Sequence, residues 1–167
     1  MERFLYLLTI SFLLLSSCIS DDEPEVRSLV PGDRCPEFAI MMNDGAMLTS
    51  SDLQGDESII VFFNTACGDC RKELPVIQEA YDNILSRNLT VKLICISRAE
   101  NAQSVGRYWK ENGLTLPYSA QDDTRIYNLF ASSIIPRIYI LSSDLVITGC
   151  WNDNPMPSAD EIMQALH

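Results

Sequence analysis

Two stretches of the chain are apolar almost without a break, Ser58 to Phe63 (SIIVFF) and Thr90 to Ser97 (TVKLICIS). Neither alternates with polar residues, and both are rich in β-branched side chains. That pattern predicts strands buried on both faces. Between them Leu74, Ile77, Tyr81, Ile84 and Leu85 recur at helical spacing and predict an apolar stripe facing the core. Ala102, Val105, Tyr108 and Trp109 mark a second helix, with Asn112-Gly113 as its C-terminal stop. Upstream, the short apolar run Glu37 to Met42 ends in the turn signal Asn43-Asp44-Gly45. Downstream, Ile126 to Phe130 reads as a short helix. Arg137 to Leu141 and Leu145 to Cys150 read as strands joined at Ser142-Ser143-Asp144. Ser158 caps a last helix with Ile162, Met163 and Leu166 on its inner side. The order β, β, α, β, α, α, β, β, α predicts an α/β fold with one mixed sheet and helices on both faces. Crossover helices link a parallel pair, and the closing hairpin adds an antiparallel edge.

The first residues follow a different logic. Met1-Glu2-Arg3 precedes the apolar run Phe4 to Leu15, whose 12 residues are too few to cross a bilayer. They suit the core of a secretory signal. Leu15-Ser16-Ser17-Cys18 resembles a bacterial lipobox. That resemblance implies a signal peptide over residues 1–17 and a lipid-modified Cys18 that holds the protein to a membrane. An ordinary signal peptide cut nearby, leaving Cys18 free, is the alternative. Residues 18–27 then form an acidic tether with four carboxylates and no apolar periodicity. Extended, it reaches roughly 30 Å. The location expected is extracytoplasmic, in the periplasm or at the outer membrane or cell surface of a bacterium. Residues 28–167 remain for a single domain.

Charge narrows the partners. With 12 basic and 23 acidic residues the net charge is −11, which argues against nucleic acid, whose binding needs a basic surface. An apolar fraction of 47% suffices for a core without disulfide staples.

Chemistry concentrates in NTACGDCRKELP, Asn64 to Pro75. Cys67 and Cys70 stand where a buried strand gives way to a helix. The unpaired N–H groups and positive dipole end of a helix N-terminus favour a thiolate. Three-residue spacing places both sulfurs on one side, within reach of each other. A structural zinc site needs four ligands, yet there is no second CxxC and the single histidine is His167. No metal and no cofactor are expected. Gly68 and Asp69 between the cysteines do not suit a buried apolar segment, so a redox pair is the favoured reading.

The segment FFNTACGDCRKELP resembles the active-site stretch of thioredoxin-like thiol–disulfide oxidoreductases, most closely the TlpA/ResA-like branch of the AhpC/TSA–redoxin family. Thr65 two residues before the first cysteine, and Arg71 to Pro75 after the second, match it. So do Gly32-Asp33 with Pro36-Glu37-Phe38, and Ile134 to Ile140. The resemblance implies a thioredoxin-like fold and an enzyme that reduces or exchanges protein disulfides with electrons from a redox partner. Cys67 would attack and Cys70 resolve the mixed disulfide. Pro136 would be a cis-proline facing the disulfide, and the Ile135 backbone would pair with an extended substrate. Glu73 would move protons; its plain alternative is an exposed helix glutamate.

Departures from the family pattern matter too. Ala66 stands where the family usually has Trp, Asp69 where it often has Pro, and Val61 where thioredoxin proper has a buried Asp. Asp69 disfavours a Cys67 thiolate while Arg71 and Lys72 oppose it, and the expected couple is reducing. A peroxiredoxin pattern would need proline at position 60 and threonine at position 64, where the chain has Ile60 and Asn64. A thioredoxin-fold binding lipoprotein without redox turnover is the non-enzymatic alternative. Cys95 is expected to be an inert core residue, and Cys35 and Cys150 to remain unpaired thiols rather than a second disulfide. Trp151 is expected to serve in packing rather than in substrate stacking.

Overall fold

The continuous apolar runs become the centre of a five-stranded sheet. A computed structural model describes residues 27–166; the leader and Cys18 lie outside them. In chain order the elements are β1 (Ala39–Met41), β2 (Met47–Thr49), a 3₁₀ turn (Ser50–Leu53), β3 (Ser58–Phe63), α1 (Gly68–Ser86) and β4 (Lys92–Ser97). There follow α2 (Ala102–Asn112), β5 (Tyr118–Ser119), α3 (Arg125–Asn128), β6 (Arg137–Leu141), β7 (Ile147–Trp151) and α4 (Ala159–Gln164). The sheet order is β5-β4-β3-β6-β7. β3 is central, parallel to β4 and antiparallel to β6. Every residue of β3 is buried, as a strand covered on both faces requires.

Two parallel steps run the same way, β3 to β4 through α1 and β4 to β5 through α2. Crossovers of one hand travelling in one direction deliver their helices to the same face. Accordingly Leu74, Ile77 and Ile84 of α1, Val105 and Trp109 of α2, and Ile162 of α4 share one core with Ile59, Val61 and Phe63. The other face holds Ile60, Phe62, Tyr139 and Leu141 under α3, the 3₁₀ turn and the N-terminal segment. Alternation along β3 and β6 thus divides one sheet between two cores. Fully buried side chains such as Phe62 and Ile59 contribute about 1.5–3 kcal/mol each.

Several expectations need correction. The run Glu37 to Met42 does not join the main sheet. Only Ala39–Met41 is strand, and it pairs with Met47–Thr49 in a separate hairpin. Leu85 does not belong to the buried stripe; it is 54% exposed, and Ala80 takes the inward position instead. Two parallel pairs exist rather than one, because β5 is a strand of only two residues. The caps do fall where the residues place them: Gly113 is left-handed at φ 64, and Ser158 forms a capping box with Glu161. α1 continues through Pro75. Trp151 packs against the α1-side core. Among the described residues no helix is long and apolar enough to cross a membrane.

Candidate active site

At the C-terminal end of β3 the chain turns sharply before α1 begins, and three side chains hold that turn. Asn64 accepts the Ala66 N–H on its Oδ1 at 2.8 Å, a local turn that Asn favours. Its Nδ2 donates to the Arg98 carbonyl at 3.0 Å, tying the turn to the end of β4. Glu100 receives the Thr65 N–H at 2.7 Å and the Thr65 hydroxyl. Arg71 donates from Nε to the Thr65 carbonyl. Thr65 is therefore gripped through both its peptide groups by opposite charges. The Cys67 N–H closes the turn on the Asn64 carbonyl at 3.0 Å.

Cys67 is the N-cap of α1, with extended backbone (φ −78, ψ 126), and its carbonyl accepts from the Arg71 N–H. Its side chain is half-buried, and Sγ lies 3.7 Å from the Ile135 carbonyl oxygen. Cys70, in the first turn of the helix, is fully buried. Burial pushes its thiol well above the usual range, partly offset by the Asn64 backbone. The bond between Ile135 and Pro136 is cis, and Pro136 is buried. The structure thus brings Cys67, Cys70, Ile135 and Pro136 to one place. Both cysteines are free thiols.

Glu73 follows one turn after Cys70, about 4.5 Å along the helix axis. It is not an exposed helix glutamate: it is 2% exposed, and its Oε1 has no hydrogen-bond partner. Burial raises its carboxyl to about 7. Asp69 and Lys72, placed in opposition around Cys67, instead pair with each other at 2.7 Å on the solvent side. Arg71 is directed to Thr65 and lies 5.9 Å from the Tyr108 ring. The local charges are largely spent on one another.

Glu100 and Asn64 are the site residues that sequence reasoning missed. The Asn beside Thr-Ala was a legible turn signal. Glu100 lies 35 residues from Thr65 and comes near only through the parallel register of β3 and β4. Cys95 is fully buried, and burial pushes its thiol up. Cys35 and Cys150 are both free. The Cys35 N–H bonds to the Leu145 carbonyl, before β7 begins, whereas Cys150 is the fourth residue of that strand. The three strand steps from Ile147 to Cys150 alone span roughly 10 Å, beyond disulfide reach.

The central sheet, its flanking helices and a CxxC at the strand-to-helix junction define a thioredoxin-like fold. StoA from Bacillus subtilis superposes with a TM-score of 0.66 at 23% identity, over 81% of this chain and 98% of that one. The thioredoxin domain of a thiol-disulfide oxidoreductase from Bacteroides vulgatus gives 0.70 at 15% identity, over 84% and 100%. Thiol-disulfide oxidoreductase ResA of Bacillus subtilis (strain 168) is 23% identical over 132 residues, 77% of this chain and 73% of its own. Residues 31–149 match the AhpC/TSA family, and the chain belongs to it.

Proposed function

We propose that the protein is an extracytoplasmic thiol–disulfide oxidoreductase that reduces or exchanges protein disulfides through Cys67 and Cys70. The observation that carries this reading is the asymmetry of the pair: a half-exposed Cys67 at a helix N-terminus, with a buried Cys70 behind it. The Cys67 thiolate attacks one sulfur of a substrate disulfide; the S–S bond breaks, and the departing thiolate takes a proton. The Cys70 thiol then loses its proton, with Glu73 as a nearby acceptor, and attacks Cys67 Sγ. The second substrate thiol leaves, and the chain holds the Cys67–Cys70 disulfide. A dithiol partner returns the two electrons. An extended substrate pairs with the backbone at Ile135, beside Pro136. The location rests on the leader sequence and Cys18.

The couple is reducing. Strong oxidants of this kind stabilise the thiolate of the reduced form, whereas here Lys72 is engaged by Asp69 and Arg71 by Thr65. The test is the redox equilibrium of the purified protein against glutathione and dithiothreitol buffers. A two-electron transition lost in C67A is expected. No exchange at any poise leaves a thioredoxin-fold binding protein. A midpoint near the oxidising extreme, about −120 mV, overturns the reducing assignment.

A further inference from the structure

Among the described residues, Arg137 and Arg98 stand out as arginines with buried guanidinium atoms and no ion pair. Arg137, the residue after cis-Pro136, is 7% exposed; its Nε makes a long contact of 3.5 Å to the Ile134 carbonyl, and its guanidinium also meets the Tyr127 and Tyr139 hydroxyls, neutral partners that leave its charge unpaired. Arg98 stacks on Tyr127, Cζ 4.7 Å from the ring centroid, and its Nε is buried without a partner. Both guanidiniums act on the Tyr127 hydroxyl, opposing the effect of its burial. The ion pairs Arg27–Asp33, Lys72–Asp69, Lys92–Asp56 and Arg125–Asp123 leave both aside. With 23 acidic residues against 12 basic ones, two unpaired cations at one ring are not explained by a shortage of acids. Buried charge is ordinarily paired.

Arg137 borders a cavity of about 200 Å³, with Cys150, Trp151, Asn152, Asn154 and Pro155 as the other walls. The polar side chains of this lining can all donate a hydrogen bond, and no carboxylate is among them. Asn152 Oδ1 is already used by the Asn154 N–H at 2.9 Å, so its amide NH₂ is left as a donor. The volume corresponds to roughly seven waters at about 30 Å³ each, room for a compact anion. Arg137 shares the sheet face of Tyr139, whereas Cys67 packs against the core on the other face. Trp151 in the cavity wall packs against that same core, so the lining draws on both faces at the end of the sheet, and only Pro136 separates Arg137 from Ile135.

We propose that this cavity is an anion subsite, in which the Arg137 guanidinium takes two oxygens of a carboxylate or phosphate and Asn152 and Asn154 close the rim. The paired oxygens match the planar fork of arginine, which lysine lacks. The anion is either free in solution or a carboxylate carried by a disulfide substrate, and the binding chemistry is the same.

The test titrates the purified dithiol protein with inorganic phosphate and with succinate at constant ionic strength, chloride serving as control. Trp151 in the cavity wall supplies the fluorescence signal, and thermal unfolding gives an independent one, because a ligand of the native state raises Tm. Saturable binding is expected, weakened about tenfold or more in R137Q and retained only in part by R137K. If R137Q does not fold, the rim variant N152A/N154A carries the test and must weaken binding. Responses to phosphate and succinate no larger than to chloride overturn the proposal, as does unchanged binding in these variants. Exchange kinetics then separate the sources. A KM for dithiodipropionate raised in R137Q, with that for neutral bis(2-hydroxyethyl) disulfide unchanged, identifies a substrate carboxylate. Equal KM values with phosphate binding lost identify a free anion. C67A retains phosphate binding, so failure of the redox reading and failure of this one are told apart.

Discussion

Replacing Glu73 by Gln removes a buried carboxylate and keeps its shape. Glu73 is 2% exposed, its Oε1 has no partner, and burial raises its carboxyl from 4.5 to about 7. The folded chain therefore keeps this proton up to about pH 7, while the unfolded chain releases it near 4.5. Between those values the native state binds more protons, so stability falls as pH rises. The full difference corresponds to about 3 kcal/mol, most of it appearing between pH 5 and pH 8. E73Q carries no such charge. It should resemble the parent protein at pH 4.5 and exceed it by roughly 2–3 kcal/mol at pH 8. With a urea m-value of about 1.5 kcal/mol/M, the midpoint gap should widen by about 1.5 M. The assay is urea unfolding by circular dichroism at pH 4.5, 6, 7 and 8, under a reductant that keeps both cysteines as thiols. A gap that does not change with pH, or a variant less stable at pH 8, would refute the assignment of a buried, unpartnered carboxylate. The same variant should slow the resolving step at Cys70 more than the first attack at Cys67.

Further outcomes follow from individual contacts. Glu100→Ala strips the Thr65 N–H and hydroxyl of their acceptor. It should cost about 2 kcal/mol in urea unfolding and slow exchange at Cys67, with Glu100→Gln recovering part of both. Phe62→Ala removes a ring packed on Tyr127, Phe130 and Tyr139 at centroid distances of 5.4, 5.0 and 6.4 Å. A loss of about 4 kcal/mol is expected, with an unchanged redox midpoint because Phe62 faces the core away from Cys67. Cys95, buried with its thiol pushed up, should resist iodoacetamide in the native protein while Cys67 is alkylated, as read by peptide mass spectrometry; equal labelling rates would contradict its burial.

The sequence was most legible where burial is symmetrical or geometry strict. β3 and β4 stand out because strands covered on both faces cannot admit polar residues. Gly113 and Ser158 announce helix ends because few residues suit those backbone positions. β2 and β5 were invisible for the opposite reason: strands of three and two residues carry no period. The expected stripe on α1 included Leu85 and omitted Glu73, since helical spacing says which residues share a side but not where its edge falls. At the site, the cysteines could be read from their spacing at a strand-to-helix junction, whereas Pro136 came only through the family resemblance. Glu100, which holds the turn from 35 residues away, belongs to the register of two strands, and a pairing of that kind leaves no mark in either segment alone.

The charges around the pair show why counting residue types misjudges such a site. Read linearly, Asp69 opposes a thiolate at Cys67 while Arg71 and Lys72 favour it, and the outcome looks like a contest. In the fold each charge already has a task. Lys72 meets Asp69 at 2.7 Å in solvent, where a pair exerts little field beyond itself. Arg71 and Glu100 hold Thr65 from its two sides. What remains to differentiate the cysteines is position: Cys67 caps the helix and meets solvent, whereas Cys70 is buried and its thiol resists ionisation. In the exchange proposed above, such a pair would attack with one sulfur and yield the other only when its proton has somewhere to go. Glu73, a buried carboxyl poised at about pH 7 one turn further on, is the group whose removal tests that dependence.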